Sequence, residues 1–205
     1  MSKILSLADS PNAVTECAAW LDLGGVVAVP TETVYGLVCR HDRFGAIDKL
    51  FEIKNRPFDK PFALFVQSYE TADNWIEPNP IATTLAEKFW PGPLTLVVSS
   101  YTSCPAAYDG AVGLRCPDHA FVQQLLEHCD GVLVNTSLNF CGNPPATCID
   151  ADHPIIQRID LAVDAGQLAP QMPSAVVDCR TSPPQILRPG SIPYGEILGA
   201  LEMQL

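Results

Sequence analysis

Gly24-Gly25-Val26-Val27-Ala28-Val29-Pro30-Thr31-Glu32-Thr33-Val34-Tyr35-Gly36-Leu37 decides how this chain is read. The glycine pair closes a helical pattern, the apolar run after it is too short for a helix, and Pro30 ends that run, so 26–29 is expected to be a buried strand. Upstream, Val14, Cys17, Ala18 and Leu21 recur at helical spacing and predict an amphipathic helix over about 11–23. Downstream, Ile47, Leu50 and Phe51 mark a second helix that must stop before Pro57. Further helices are expected around Ile81, Leu85 and Phe89, around Phe121, Val122, Leu125 and Leu126, and from Pro193 onward. Strands are expected at 62–66, 94–99, 112–115 and 131–135, with weaker signals at 159–163, 174–179 and 185–188. A polar, proline-rich loop is expected at 136–148. Strands and helices alternate without an internal repeat. The expectation is an α/β (α+β) single domain, 1–205, built on a twisted, mixed sheet flanked by helices.

Composition narrows the function. With 205 residues, 47% hydrophobic and 17% charged, the chain can bury a substantial core. No basic, apolar leader opens it and no apolar stretch approaches the roughly 18 residues of a membrane span, so a soluble, cytoplasmic protein with no membrane contact is expected. The eight cysteines are dispersed without a C-x-x-C pair, and the four histidines show no ligand spacing. They are read as structural thiols, with no dedicated metal site. A formal charge of −11 argues against a broad nucleic-acid surface. Where Lys and Arg do gather, an anion is the expected partner.

Three segments carry candidate chemistry. Thr31, Thr33 and Tyr35 alternate, so an extended chain would set their hydroxyls on one side, toward an amino acid's polar groups; the segment equally fits a turn with edge threonines. Lys54 and Arg56 stand beside Pro57, where an ammonium and a guanidinium on a rigid corner suit phosphate; a cationic helix terminus reads the same way. Ser137 and Asn139 follow an apolar strand, where open α/β sheets place ligand loops, though turn-forming residues alone would give such a loop. Arg115 ends a strand ahead of Cys116-Pro117, and Arg188 ends one ahead of Pro189-Gly190. Glu32 has no carboxylate partner in the sequence.

Taken in order, these segments resemble the YrdC-like family of L-threonylcarbamoyl-adenylate synthases. The resemblance runs through Pro30-Thr31-Glu32-Thr33-Val34-Tyr35-Gly36-Leu37, Lys54-Asn55-Arg56-Pro57, Trp90-Pro91-Gly92-Pro93-Leu94-Thr95 and Gly113-Leu114-Arg115-Cys116-Pro117. It continues through Thr136-Ser137-Leu138-Asn139, Pro173-Ser174-Ala175-Val176-Val177-Asp178 and Leu187-Arg188-Pro189-Gly190. It implies an open sheet with a concave ligand surface. It implies synthesis of threonylcarbamoyl-AMP and pyrophosphate from L-threonine, bicarbonate/CO2 and ATP, with Mg2+ accompanying ATP. The product would pass to a tRNA-modifying transferase complex, and any tRNA contact would be weak. By resemblance Lys54 and Arg56 are catalytic, Lys54, Arg56, Arg115, Ser137, Asn139 and Arg188 bind ATP, and Thr31, Thr33, Tyr35 and Ser174 bind threonine. The chain departs from the family at Leu138, at Cys141 and at Ala175, where the usual threonine hydroxyl could touch substrate. The alternative is a nucleotide- or RNA-binding relative without synthase activity. The chain is also expected to lack the C-terminal extension of longer relatives.

Overall fold

The computed structural model describes residues 2–101, 103–170 and 172–202. Ten strands form one sheet: β1 (Lys3–Ser6), β2 (Val27–Val29), β3 (Gly36–Arg40), β4 (Ala63–Val66), β5 (Leu94–Ser99), β6 (Ala111–Arg115), β7 (Val132–Ser137), β8 (Leu161–Asp164), β9 (Ala175–Asp178) and β10 (Gln185–Arg188). The helices are α1 (Ala13–Asp22), α2 (Phe44–Lys54), α3 (Pro80–Phe89), α4 (Ala120–His128) and α5 (Tyr194–Glu202). The spatial order is β1-β8-β2-β3-β7-β4-β6-β5-β9-β10. Parallel pairs such as β4–β6 and β5–β9 mix with antiparallel ones such as β3–β7 and β5–β6. The expected α/β class and mixed sheet are the observed ones.

Side-chain alternation gives the sheet two different faces. On one, Leu37, Leu64, Leu96, Leu114, Val134 and Val177 pack with Leu50 of α2, Leu85 of α3 and Ile197 of α5. On the other, Val27, Val38, Phe65 and Leu133 pack under Cys17 and Leu21 of α1 and Phe121 and Leu125 of α4. Those two helices cover only part of that face. Beyond them the floor of β7, β4, β6, β5 and β9 is bare, and it forms a concave cavity.

Two strands, β1 and β3, had no counterpart in the sequence reading. The segment 31–35 bends rather than extending, and the chain becomes a strand only at Gly36. Ser137 closes β7 instead of lying in the following loop.

Candidate active site

The cavity encloses about 460 Å3. Its floor follows the strand register. Gly36 lies across from Ser137, and Asn135 is flanked by Val38 and Ala63, with Gly113 beyond Ala63. Small residues at 36, 63 and 113 keep the floor low enough for a ligand to lie on it.

One rim is built by the end of α2. Asn55 adopts a left-handed conformation (φ 49°), its N–H bonds Glu52 O, and the Arg56 N–H bonds Phe51 O, so the helix closes in a Schellman turn. The turn sends the two cations in different directions. Lys54 is only 1% exposed; its Nζ donates to Ser137 O at 2.5 Å and to Asn139 Oδ1 at 2.9 Å. Ser137 Oγ also donates to Asn139 Oδ1, at 2.6 Å. Arg56 lines the cavity and donates to the carbonyls of Lys60 (2.7 Å) and Pro61 (2.8 Å), with its guanidinium over the Phe62 ring. The expectation of two cations displayed together on one corner is therefore corrected. Arg56 and Ser137 line the cavity, whereas Lys54 and Asn139 stand behind its wall and brace it. Burial, and next the Arg56 charge, hold the Lys54 ammonium down at about 8.

The opposite rim joins Thr31, Arg115, Ser174 and Arg188. Thr33, expected to touch the amino acid, is instead fully buried behind this rim and does not line the cavity. Thr31 Oγ1 donates to Val34 O at 2.6 Å and lies 3.1 Å from Thr33 Oγ1. Arg115 Nη2 donates to Thr33 Oγ1 at 3.0 Å and lies 2.7 Å from Glu32 Oε1. The Glu32 oxygens, enclosed and otherwise without hydrogen bonds, thus have one cation to neutralise them. Arg188 Nη2 donates to Ser174 O (2.9 Å) and Ser174 Oγ (3.0 Å), and Ser174 Oγ lies 2.9 Å from Thr95 Oγ1. Both arginines line the cavity, so two guanidinium groups face the same space. Burial and the Arg115 charge lower the Arg188 pKa, a strain that a bound anion would relieve.

Two further sequence expectations fail in detail. Tyr35 helps line the cavity, but its hydroxyl does not join the two threonines: it donates to Gly166 O at 2.8 Å and accepts from the Ala165 N–H. The bend at 31–35 breaks the alternation on which the shared side depended. Ala175 lies fully buried in the α2/α3/α5 core, on the face of β9 opposite cavity-lining Val176. A threonine there would face the core, not a substrate. Sequence reasoning also missed Thr95, Asn135 and the Glu32–Arg115 ion pair. The pair spans separated segments, and Asn135 read as the end of an apolar strand opening the loop of Ser137 and Asn139, with no role of its own.

The Sua5/YciO/YrdC family model, described as telomere recombination, matches residues 19–190. The chain belongs to this family. The threonylcarbamoyl-AMP synthase of Pyrococcus abyssi (strain GE5 / Orsay) is 34% identical over 185 residues, 88% of this chain and 54% of that protein. The threonylcarbamoyl-AMP synthase of Bacillus subtilis (strain 168) is 32% identical over 197 residues, 93% of this chain and 57% of that protein. The chain thus spans little more than half the length of these two relatives. Among solved structures of the family, P. abyssi Sua5 complexed with L-threonine superposes with a TM-score of 0.85 at 30% identity, over 98% of this chain and 61% of the other.

Proposed function

We propose that this chain is an L-threonylcarbamoyl-adenylate synthase, acting as one unit over 1–205. The observation that carries the proposal is a single cavity with Arg56 and Ser137 on one rim and Thr31, Arg115, Ser174 and Arg188 on the other. That arrangement suits a nucleotide and an amino acid meeting over a floor of small residues. The relative crystallised with L-threonine supports the same reading.

In this reading threonine's neutral amine captures carbon dioxide and releases a proton to solvent, or captures bicarbonate and releases water, to give a carbamate. A carbamate oxygen then attacks the α-phosphorus of ATP as the bond to pyrophosphate breaks and pyrophosphate leaves. Arg56 and Arg188 stabilise the charge that builds on the phosphoryl oxygens, as fixed cations facing a partly dry site do most effectively. Lys54 adds its charge from behind the wall and, together with Asn139, holds Ser137 in place to orient the phosphates. Thr31 and Ser174 hold threonine, with Thr33 bracing Thr31 and Arg115 from behind, so positioning supplies a large share of the acceleration. The carbamate is already anionic, so its attack on phosphorus needs no general base. Mg2+ would ride on the phosphate oxygens of ATP rather than in a protein cage. The product would serve a tRNA-modifying transferase complex in the cytoplasm.

Incubation with ATP, bicarbonate and labelled L-threonine tests the proposal. Threonylcarbamoyl-AMP and pyrophosphate are expected together. Normal ATP binding without either product would favour a nucleotide-binding relative that lacks the activity.

A further inference from the structure

Asn135 sits in the middle of the cavity floor and is 9% exposed. Its backbone is committed to the ladder between β3 and β4. Its side chain has no hydrogen-bond partner among the described residues. Among the described residues the enclosed Nδ2 atom has no partner, and the carbonyl end of the amide bonds none either. Six other polar side chains around the cavity differ: Thr31, Arg56, Arg115, Ser137, Ser174 and Arg188 are each held by a hydrogen bond. Buried polar groups in native proteins are paired as a rule, and one left unpaired on a ligand-facing surface calls for a partner that arrives later. Its neighbours along the floor, Val38, Ala63 and Gly113, offer it none.

The register fixes where that partner would be. Asn135 lies one step inward from Ser137 on β7, and the same face of β6 presents Gly113 and then Arg115. It therefore stands between the phosphate rim and the rim of Thr31, Arg115 and Ser174, where the two substrates must meet. A half-turn about the last side-chain bond exchanges its acceptor and donor ends, so it can turn the NH2 group into the cavity.

We infer that the side-chain amide of Asn135 is a substrate contact, donating a hydrogen bond to an oxyanion of the bound amino acid, its carboxylate or its carbamate. The inference rests on the synthase reading of the cavity. It makes Asn135 a residue that selects and orients the amino acid, held unpaired in the free protein at some cost in stability.

The test is Asn135→Leu, close in size and without polar atoms, beside Asn135→Asp, which sets a carboxylate toward the oxyanion. Calorimetry with L-threonine, with and without bicarbonate, and with ATP alone gives the affinities; thermal unfolding of the free proteins gives stability. Asn135→Leu is expected to weaken L-threonine binding about tenfold or more, as loss of a hydrogen bond to a charged group should. ATP affinity should stay within about twofold, and Tm of the free variant should be no lower than that of the parent, because no internal bond is lost. Asn135→Asp should weaken L-threonine binding further. Weakening with and without bicarbonate identifies the carboxylate as the partner; weakening only with bicarbonate identifies the carbamate. Unchanged L-threonine affinity in Asn135→Leu, or a large fall in its Tm, overturns the inference alone. A parent protein that binds no L-threonine under either condition overturns the synthase reading and the inference together.

Discussion

An ammonium enclosed beside a guanidinium holds its proton weakly, and Lys54 is such a group, lowered from 10.5 to about 8. The sign of its linkage is opposite for stability and for binding. Between about 8 and 10.5 the unfolded chain carries the proton and the folded chain does not, so the Lys54 contribution to stability rises with pH across that window. The anion-binding charge does the reverse: it is present below about 8 and is lost as pH rises through it. ATP affinity of the parent should therefore fall above that pH, and Lys54→Met should lose about tenfold or more in affinity near neutrality and show a flatter profile. Parallel titration of binding and of the stability difference between parent and variant checks both signs; a parent profile as flat as the variant's would remove Lys54 from the phosphate site. At Ala175 the side chain points into the core with no exposed surface. Ala175→Thr should accordingly cost about 1–3 kcal/mol by overpacking and leave turnover unimproved, measured by denaturant unfolding and product formation.

The elements that position the site are the ends of α2 and β7. Asn55 in the left-handed region turns Lys54 inward while Arg56 faces the cavity, and few residues accept that conformation. Asn55→Gly should be neutral or slightly stabilising, whereas Asn55→Val should cost about 1–2 kcal/mol and weaken ATP binding, because the same turn aims both cations. If ATP affinity held while stability fell, the turn would serve the fold only. The helix itself was legible, since Ile47, Leu50 and Phe51 repeat at helical spacing and Pro57 limits its length. So was β5, expected at 94–99 and found at Leu94–Ser99. The strand β3 was not, because its five buried residues include Gly36 and the charged Arg40, which breaks the apolar pattern. Arg40 is tolerated there by ion pairs with Asp22, Asp42 and Asp130, and Asp22 and Asp130 come from remote parts of the chain. The same limit hid the Glu32–Arg115 pair. Local periodicity reports an element, while strand order and tertiary pairing decide which rim an arginine joins.

Across the whole molecule the eight cysteines act as reporters of how completely the sheet is covered. Cys17 of α1 and Cys129 at the end of α4 are buried in the layer those helices form on the sheet; Cys39, Cys104 and Cys179 lie in the layer of α2, α3 and α5; Cys116 is buried beside Gln67 and Gln123. Burial pushes the Cys17, Cys39 and Cys179 thiols up to about 12 and Cys129 to about 11. A thiol reacts as its thiolate, so these groups are protected twice, by exclusion of the reagent and by suppressed ionisation. Only Cys141 and Cys148 are exposed, both in the segment between β7 and β8 that flanks the cavity. Titration of the native protein with an aromatic disulfide near pH 8 should release two equivalents rapidly, and eight in denaturant. The six slow thiols should react at the rate of unfolding and slow together when ATP or L-threonine is added, since a ligand that binds only the folded state protects both core layers at once. A third thiol reacting as fast as the exposed pair would mean that one helical layer opens independently of the other. In that case the rims of the cavity, which are anchored to both layers, could not be treated as rigid.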